Sequence, residues 1–483
     1  MDFDLFYSIL SYISYFVSFL IFLHLVLYAK STEHLLAWVA LMLILPHIAN
    51  ILFFIFGIEW KRKKIFFATV EKNLENKEFF NLQKQIPYFH NELKTSHNKN
   101  LVKLMTLVSS SASSPLFLNG KVDFFFSGEE FFSKLIQSIK NAKKFIYMEF
   151  FIFRSDTIGS QIFDILCQKA KEGVEVSLLF DGIGSFGKIS FKARRNLKKA
   201  GARFKFFLDP TFRLNQFYIN YRNHRKLVVI DDKVVFIGGF NVGDEYLGRG
   251  KKQIKWRDTH AIVYGEAIRG LKEIFISDWT NSNGEPLATF ATPSSIYSKY
   301  SRLLTQIIVS GPDSDWNNIE NCIHSAIYNA HSSICIESPY FIIDDSIQKA
   351  LIVAALSGID VSIIITGIPD KKILYWVAET YFEYLISAGV KIYRYMDGFL
   401  HSKMLIVDDY FAMIGSSNFD IRSFKLSYES NIIFYDETVV AKLRKQFEKD
   451  IKYSTQITQE FVNNQSMVKR LRNSILKIPS PLF

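Results

Sequence analysis

The sequence predicts an α/β fold in two related lobes, preceded by a transmembrane helical hairpin. Three observations predict it. "NHRKLVVIDDKVVFIGGFN" (Asn223 to Asn241) is written again, with small changes, as "LHSKMLIVDDYFAMIGSSN" (Leu400 to Asn418). Strand-like runs alternate with helix-period runs before each copy, which argues for mainly parallel strands in each half. Near the amino terminus, residues 5–29 and 35–58 contain no Lys, Arg, Asp or Glu. Each run exceeds the ~20 residues a helix needs to cross a bilayer.

The apolar runs come first in the chain. Only residues 30–34 separate them, so 1–60 reads as two membrane-spanning helices. A cleaved signal peptide is excluded because "MDFD" is acidic where a basic segment is required. "KRKK" at 61–64 follows the second run, and the connecting loop has one Lys and one Glu. The two spans and the excess of positive charge after them predict a multi-pass membrane protein with its body in the cytoplasm. Residues 61–118 are polar and end in "SSSASSP", which predicts a linker with a short amphipathic helix over 71–85.

The lobes follow at 119–290 and 291–483. The first opens with the strand "KVDFFF" and the helix-period run "GEEFFSKLIQSIKNAKK". Three further segments then recur in order. "KKFIYMEFFIF" matches "HSSICIESPYFI", "AKEGVEVSLLFDG" matches "ALSGIDVSIIITG", and "KKAGARFKFF" matches "ISAGVKIYRY". The motif closes each copy. A chain of 483 residues with a net charge of +11 also implies a polyanionic partner. The apolar runs select an anionic bilayer, and no nucleic acid partner is expected. Cys167, Cys322 and Cys335 have no metal-ligand spacing and suit a reducing compartment.

The polar residues of the repeat carry the chemistry. On a strand, His224 with Lys226 and His401 with Lys403 each share one face. Asp231 and Asp408 fall at the hairpin tips, where a turn-forming or Lys-orienting role suits them better than proton transfer. Gly238-Gly239 and Gly415-Ser416 leave room for something large to approach, with the amides of Asn241 and Asn418 donating to it. Two His, two Lys and two Asn suit a phosphate. One imidazole attacks phosphorus, giving a phosphohistidine, and the other protonates the leaving alkoxide. The ammonium groups and amides stabilise charge on the non-bridging oxygens. No metal and no cofactor are expected. Each His also needs a carboxylate to fix its tautomer. Asp258 in "KWRDTH" follows the first motif and Glu429 in "SYESN" follows the second. The basic run at 191–201 reads first as a solvated helix face and second as a contact for lipid headgroups. The basic loop at 248–256 fits substrate steering and solubility equally. The other eight His read as structural.

These motifs, with "GGFN" and "GSSN", resemble the phospholipase D superfamily. With "YMEFFIF", "EGVEVSLLFDGIGS", "WRDTH", "SPYFIIDDSIQKAL", "GFLHSKMLIVDD" and the terminal "SPLF", the chain resembles the bacterial cardiolipin synthases over nearly its whole length. The resemblance implies two pseudo-twofold-related phospholipase-D-like α/β/α lobes whose motifs meet at one site. It implies His224, Lys226, Asp231, His401, Lys403 and Asp408 as the active-site set. It also implies a bacterial inner membrane as the location, and that two membrane phosphatidylglycerols are joined there into cardiolipin with release of glycerol. The first apolar run departs from the family in its Phe, Tyr and Ser content, and the second in His47 and Asn50. Two alternatives share the motif: a hydrolase, whether phospholipase or membrane-tethered nuclease, and a non-catalytic binder of anionic lipid. The two bilayer spans disfavour a nuclease. The intact motifs disfavour the binder.

Overall fold

The computed structural model describes residues 3–28, 32–54, 99–208, 221–250, 253–287, 303–314 and 316–478. The basic cluster 61–64, the expected helix 71–85, the expected lobe boundary at 290 and the terminal "SPLF" lie outside the described residues. The described chain forms an amino-terminal helical unit and a body.

In the helical unit, Tyr7–Tyr28 lies within the helix Phe3–Tyr28 and is long and apolar enough to cross a membrane. The second expected span is not one helix, which corrects the two-span, multi-pass reading. It divides into Thr32–Ile44 and Pro46–Leu52, and neither is long enough alone. Pro46 lacks an N–H and disfavours helical backbone in the residue before it; Leu45 has φ −139°. The polar Asn50 is satisfied inside the unit. Its amide nitrogen donates to the Ser14 carbonyl at 2.8 Å and the Ser14 hydroxyl at 3.0 Å, and Ser18 donates to its oxygen at 2.9 Å.

The strands of the first lobe are β1 (Phe117–Phe125), β2 (Phe145–Phe150), β3 (Glu175–Asp181), β4 (Arg203–Phe207), β5 (Arg222–Asn223), β6 (Lys226–Ile230), β7 (Val234–Gly238), β8 (Trp256–Arg257) and β9 (His260–Gly265). In the second lobe β10 (Leu303–Ser310), β11 (Ser333–Ser338), β12 (Phe341–Ile342), β13 (Asp360–Thr366), β14 (Lys391–Tyr395), β15 (Phe399–Leu400), β16 (Met404–Val407) and β17 (Phe411–Gly415) come first. They are followed by β18 (Phe419–Asp420), β19 (Ser427–Phe434) and β20 (Ser454–Ile457).

Read inward, the first lobe runs β4-β3-β2-β6-β7-β9-β1, and the second runs β14-β13-β11-β16-β17-β19-β10, with β20 added antiparallel outside β14. The order is the same in both, and β1 pairs antiparallel with β10 to make one continuous sheet related by a pseudo-twofold. Along this path, among the described residues, β2-β3-β4 and β11-β13-β14 are parallel and the other neighbours antiparallel. This corrects the expectation of mainly parallel strands. The motif folds as an antiparallel hairpin, β6-β7 or β16-β17, and the strands after it continue antiparallel.

Helices cover the parallel strands because their apolar residues recur at helical spacing. Thr157–Lys171 is capped by Asp156, which accepts from the Gly159 N–H at 3.2 Å, and buries Ile158, Ile162, Phe163 and Leu166. The glycines that close the repeated helix-strand junctions, Gly173, Gly201, Gly358 and Gly389, have φ between +87° and +99°. This left-handed turn ends the helix and starts the strand.

Residues 99–118 do not form a linker. The helix Lys99–Ser111 buries Leu104, Met105 and Val108 in the core of the second lobe. Ser109 in this helix and Ser114 after it are buried against Gln306. Its amide nitrogen donates to the Ser109 hydroxyl at 2.9 Å and the Ser114 carbonyl at 3.0 Å.

Candidate active site

Two short strand pairs build the site, and both cross between lobes. β5 runs parallel to the start of β19, with Arg222 opposite Ser427 and Asn223 opposite Tyr428. The next residues in register are His224 and Glu429. β15 runs parallel to β8, with Phe399 opposite Trp256 and Leu400 opposite Arg257. The next residues there are His401 and Asp258. Backbone bonds extend both registers: the His224 N–H donates to the Tyr428 carbonyl at 2.9 Å, and the His401 N–H to the Arg257 carbonyl at 2.7 Å.

Each imidazole therefore meets the carboxylate of the other lobe. His224 Nδ1 lies 2.9 and 3.1 Å from the two oxygens of Glu429. His401 Nδ1 lies 2.5 Å from Asp258 Oδ2. The sequence places one carboxylate after each motif, but each serves the other motif's histidine. Both carboxylates are fully buried, and with Nδ1 engaged the Nε2 of each ring is left for chemistry. Phe151 meets the His224 ring edge-on at 4.9 Å, while Trp256 and Phe399 flank His401 at 5.2 and 5.8 Å.

The lysines are buried with them. Lys226 Nζ donates to the His224 carbonyl and Lys403 Nζ to that of His401. An ammonium has three N–H groups, so each keeps donors for an anion. Burial brings the Lys226 pKa down to about 7 against the pull of Glu429, with Lys403 lowering it further. Burial likewise holds Lys403 at about 8. Burial lowers His224 to about 4 and His401 to about 3, so both rings are neutral at pH 7. Burial opposes ionisation of Asp258, yet His401 and Lys403 outweigh it and its pKa falls below the usual value. Lys403 acts on His224, and Lys226 acts on His401. The two motifs thus share one cationic site.

Asp231 and Asp408 are not part of it, which corrects their place in the active-site set. The Asp231 carboxylate accepts from the N–H groups of Lys143, Lys144 and Phe145 at 2.7 to 2.9 Å. Asp408 accepts from those of His331, Ser332 and Ser333 at 2.7 to 3.2 Å. Both tie the hairpin tip to the start of β2 or β11, at the far end of the strand from the motif His and Lys. Their φ values of +56° and +49° suit a tight turn.

The asparagines use part of their amides internally, and the Asn418 Oδ1 is buried without a partner. Asn241 accepts from the Ile152 N–H at 3.0 Å and donates to the Tyr246 hydroxyl at 3.0 Å; Asn418 donates to Asp420 at 3.1 Å. They brace the loops behind the site. Nor does Gly239 open a path for a ligand. A Cβ there would lie 2.0 Å from Asp258 Oδ1, so the glycine makes room for that carboxylate. Ser416, its counterpart, donates instead to Glu429.

Sequence reasoning missed Ser416 and Arg257. The Arg257 guanidinium holds Asp450 at 2.6 Å and donates to the Asp258 carbonyl at 2.6 Å, fixing the strand beneath His401. A His-Lys doublet followed by an extra hydroxyl or arginine carries no local signal of such a role. His260, two residues after Asp258, stacks 4.4 Å from Phe131 in the core.

Paired HxKxxxxD hairpins related by a pseudo-twofold, with their His and Lys in one cationic pocket, define a phospholipase-D-like protein. The comparisons narrow the class. The family described as "Cardiolipin synthase, PLD-like domain" matches residues 135–279 and 323–451. A cardiolipin synthase of Clostridium perfringens is 40% identical over 92% of this chain and 94% of its own. The major cardiolipin synthase of Bacillus subtilis is 36% identical over 92% and 93%. The chain belongs to the bacterial cardiolipin synthases of the phospholipase D superfamily, enzymes that transfer phosphatidyl groups. Among solved structures, a phosphatidylserine synthase of Haemophilus influenzae shares the fold with a TM-score of 0.60 and 18% identity, over 79% of this chain and 100% of that one. A polyphosphate kinase of Porphyromonas gingivalis has a TM-score of 0.51 and 12% identity, over 71% of this chain and 49% of that one.

Proposed function

We propose that the enzyme joins two phosphatidylglycerols into cardiolipin and glycerol through a phosphohistidine. His224 Nε2 attacks the phosphorus of the first lipid, forming the P–N bond as the P–O bond to the headgroup glycerol breaks. His401 gives the departing alkoxide its proton and then takes one from the headgroup hydroxyl of the second lipid. That hydroxyl attacks phosphorus, the P–N bond breaks and His224 is restored. Lys226 and Lys403 hold the non-bridging oxygens throughout. The bound phosphodiester anion raises the low histidine pKa values, which lets His401 carry the proton. The apolar amino-terminal segment anchors the enzyme, and the basic run 61–64 that follows it in sequence favours a cytoplasmic body.

The support for this reading is the seating of each imidazole on the other lobe's buried carboxylate, which gives two oriented bases at one anion site. Water competes for the phosphohistidine. Transfer requires a positioned lipid hydroxyl, and positioning supplies effective molarities of roughly 10⁵ M, about 7 kcal/mol. The test uses purified full chain with phosphatidylglycerol labelled in both phosphate and headgroup. Equal amounts of free glycerol and cardiolipin are expected, without added metal or nucleotide. Phosphatidic acid as the dominant product would make the enzyme a hydrolase.

A further inference from the structure

Two loops at matched places in the lobes leave apolar side chains in water. After β3, Ile183, Phe186 and Phe191 are 39%, 57% and 74% exposed; after β13, Ile368 and Ile373 are 36% and 44% exposed. β3 and β13 are counterparts under the pseudo-twofold, so both loops leave the carboxyl ends of parallel strands, the end where His224 and His401 enter. The first loop touches the site directly. A Cβ on Gly184 would lie 2.7 Å from the Phe151 ring, which in turn meets His224 at 4.9 Å. The second is tied to the end of β11, where the Tyr340 hydroxyl donates to Asp370 at 2.8 Å and Lys371 Nζ sits 5.8 Å from the Tyr340 ring.

Their charge is one-sided. Residues 182–192 and 367–373 carry four lysines, Lys188 and Lys371 in the loops and Lys192 and Lys372 at the start of the helices that follow, against one acid, Asp370, which already accepts from Tyr340. Apolar side chains interleaved with lysines match the boundary of an anionic bilayer, where acyl chains lie beneath phosphates. A soluble protein partner would give no reason for both loops to stand at the end of the sheet where a lipid phosphate must enter.

We propose that these two loops form a rim that seats in an anionic bilayer around the catalytic opening. Phe186, Phe191 and Ile373 enter the acyl boundary, and the lysines rest on lipid phosphates. The proposal rests on a lipid substrate, as inferred above. The rim holds the site at the depth of the scissile phosphates, so lipid enters without leaving the membrane.

The experiment uses the full chain in a Cys167→Ser background, reconstituted in vesicles of phosphatidylglycerol and phosphatidylcholine. An environment-sensitive fluorophore is placed on Phe186→Cys, on Ile373→Cys or, as control, on Lys171→Cys at the opposite end of the body. Both rim labels should shift to shorter wavelength and be quenched by brominated lipid, and the control should do neither. Rim labels that stay in water in vesicles that support turnover would overturn the proposal. A second measurement compares wild type with Phe186→Ser/Phe191→Ser/Ile373→Ser. Turnover of bilayer substrate should fall several-fold, and turnover of the same lipid in detergent micelles should be unchanged. Equal loss on both would also overturn it. Absence of cardiolipin from wild type on either substrate would count against the proposed reaction instead, while the fluorophores would still report seating.

Discussion

Lys226 and Lys403 are the residues whose protonation sets the working range of the site. Their charged forms hold the phosphate, and burial has lowered their pKa values to about 7 and 8. As pH rises through these values the cations are lost. The prediction for kcat/KM is therefore a plateau that falls above roughly pH 8, earlier than an ordinary lysine would give. On the acid side, His224 at about 4 keeps its neutral, nucleophilic form well below neutrality. A pH–rate profile on the full chain checks both limbs, and an undiminished rate at pH 10 would remove the lysines from the mechanism. His224→Ala and His401→Ala should each lower turnover by roughly 10³-fold or more, since neither ring can replace the other. At this scale the sequence was largely legible. His, Lys and a following carboxylate are needed for phosphate chemistry whatever the fold, so their types and spacing reveal them. The asparagines are less legible, because an amide at a strand end donates equally well to a ligand or to a neighbouring loop.

At the scale of elements, the site depends on strand pairings only two residues long. β5 on β19 and β15 on β8 set the registers that deliver Glu429 to His224 and Asp258 to His401. Two residues have no periodicity, so nothing in the sequence announces such a pairing or its exchange between lobes. Glu429→Gln should impair the step that depends on His224, and Asp258→Asn that of His401, each by roughly 10²-fold or more with folding intact. Rapid-quench kinetics separate the steps: Glu429→Gln slows the first release of glycerol, and Asp258→Asn slows both proton transfers. The hairpin tips behave differently. Asp231→Ala strips acceptors from three backbone N–H groups, a loss of about 1–3 kcal/mol for each left unsatisfied. Its melting temperature should fall while turnover per folded molecule is retained, which calorimetry and active-site titration distinguish. The Ser-rich stretch misled for a related reason. Composition does not separate a solvated serine from one whose partner is the buried Gln306.

For the whole molecule, the continuous sheet through β1 and β10 makes two lobes into one catalytic unit. The repeat made that duplication visible in the sequence. The antiparallel half of each lobe was hidden, because alternating strand and helix patterns do not encode strand direction. Hydropathy alone likewise passed over Pro46, which ends the helix Thr32–Ile44. Because each site needs both motifs of one chain, mixing the His224→Ala and His401→Ala proteins should restore no activity, and restoration would require exchange of lobes between chains. The central claim is that one lipid phosphate passes through a single covalent histidine at the junction of the lobes. The P–N bond of a phosphohistidine hydrolyses in acid and survives alkali, so the measurement is a rapid alkaline quench of full chain with phosphate-labelled phosphatidylglycerol, followed by peptide mapping. The account predicts label on His224, absent from His224→Ala and accumulating in a variant slowed at the second step. Label on His401 would exchange the two roles, and cardiolipin formation with no labelled histidine at any time would contradict the mechanism.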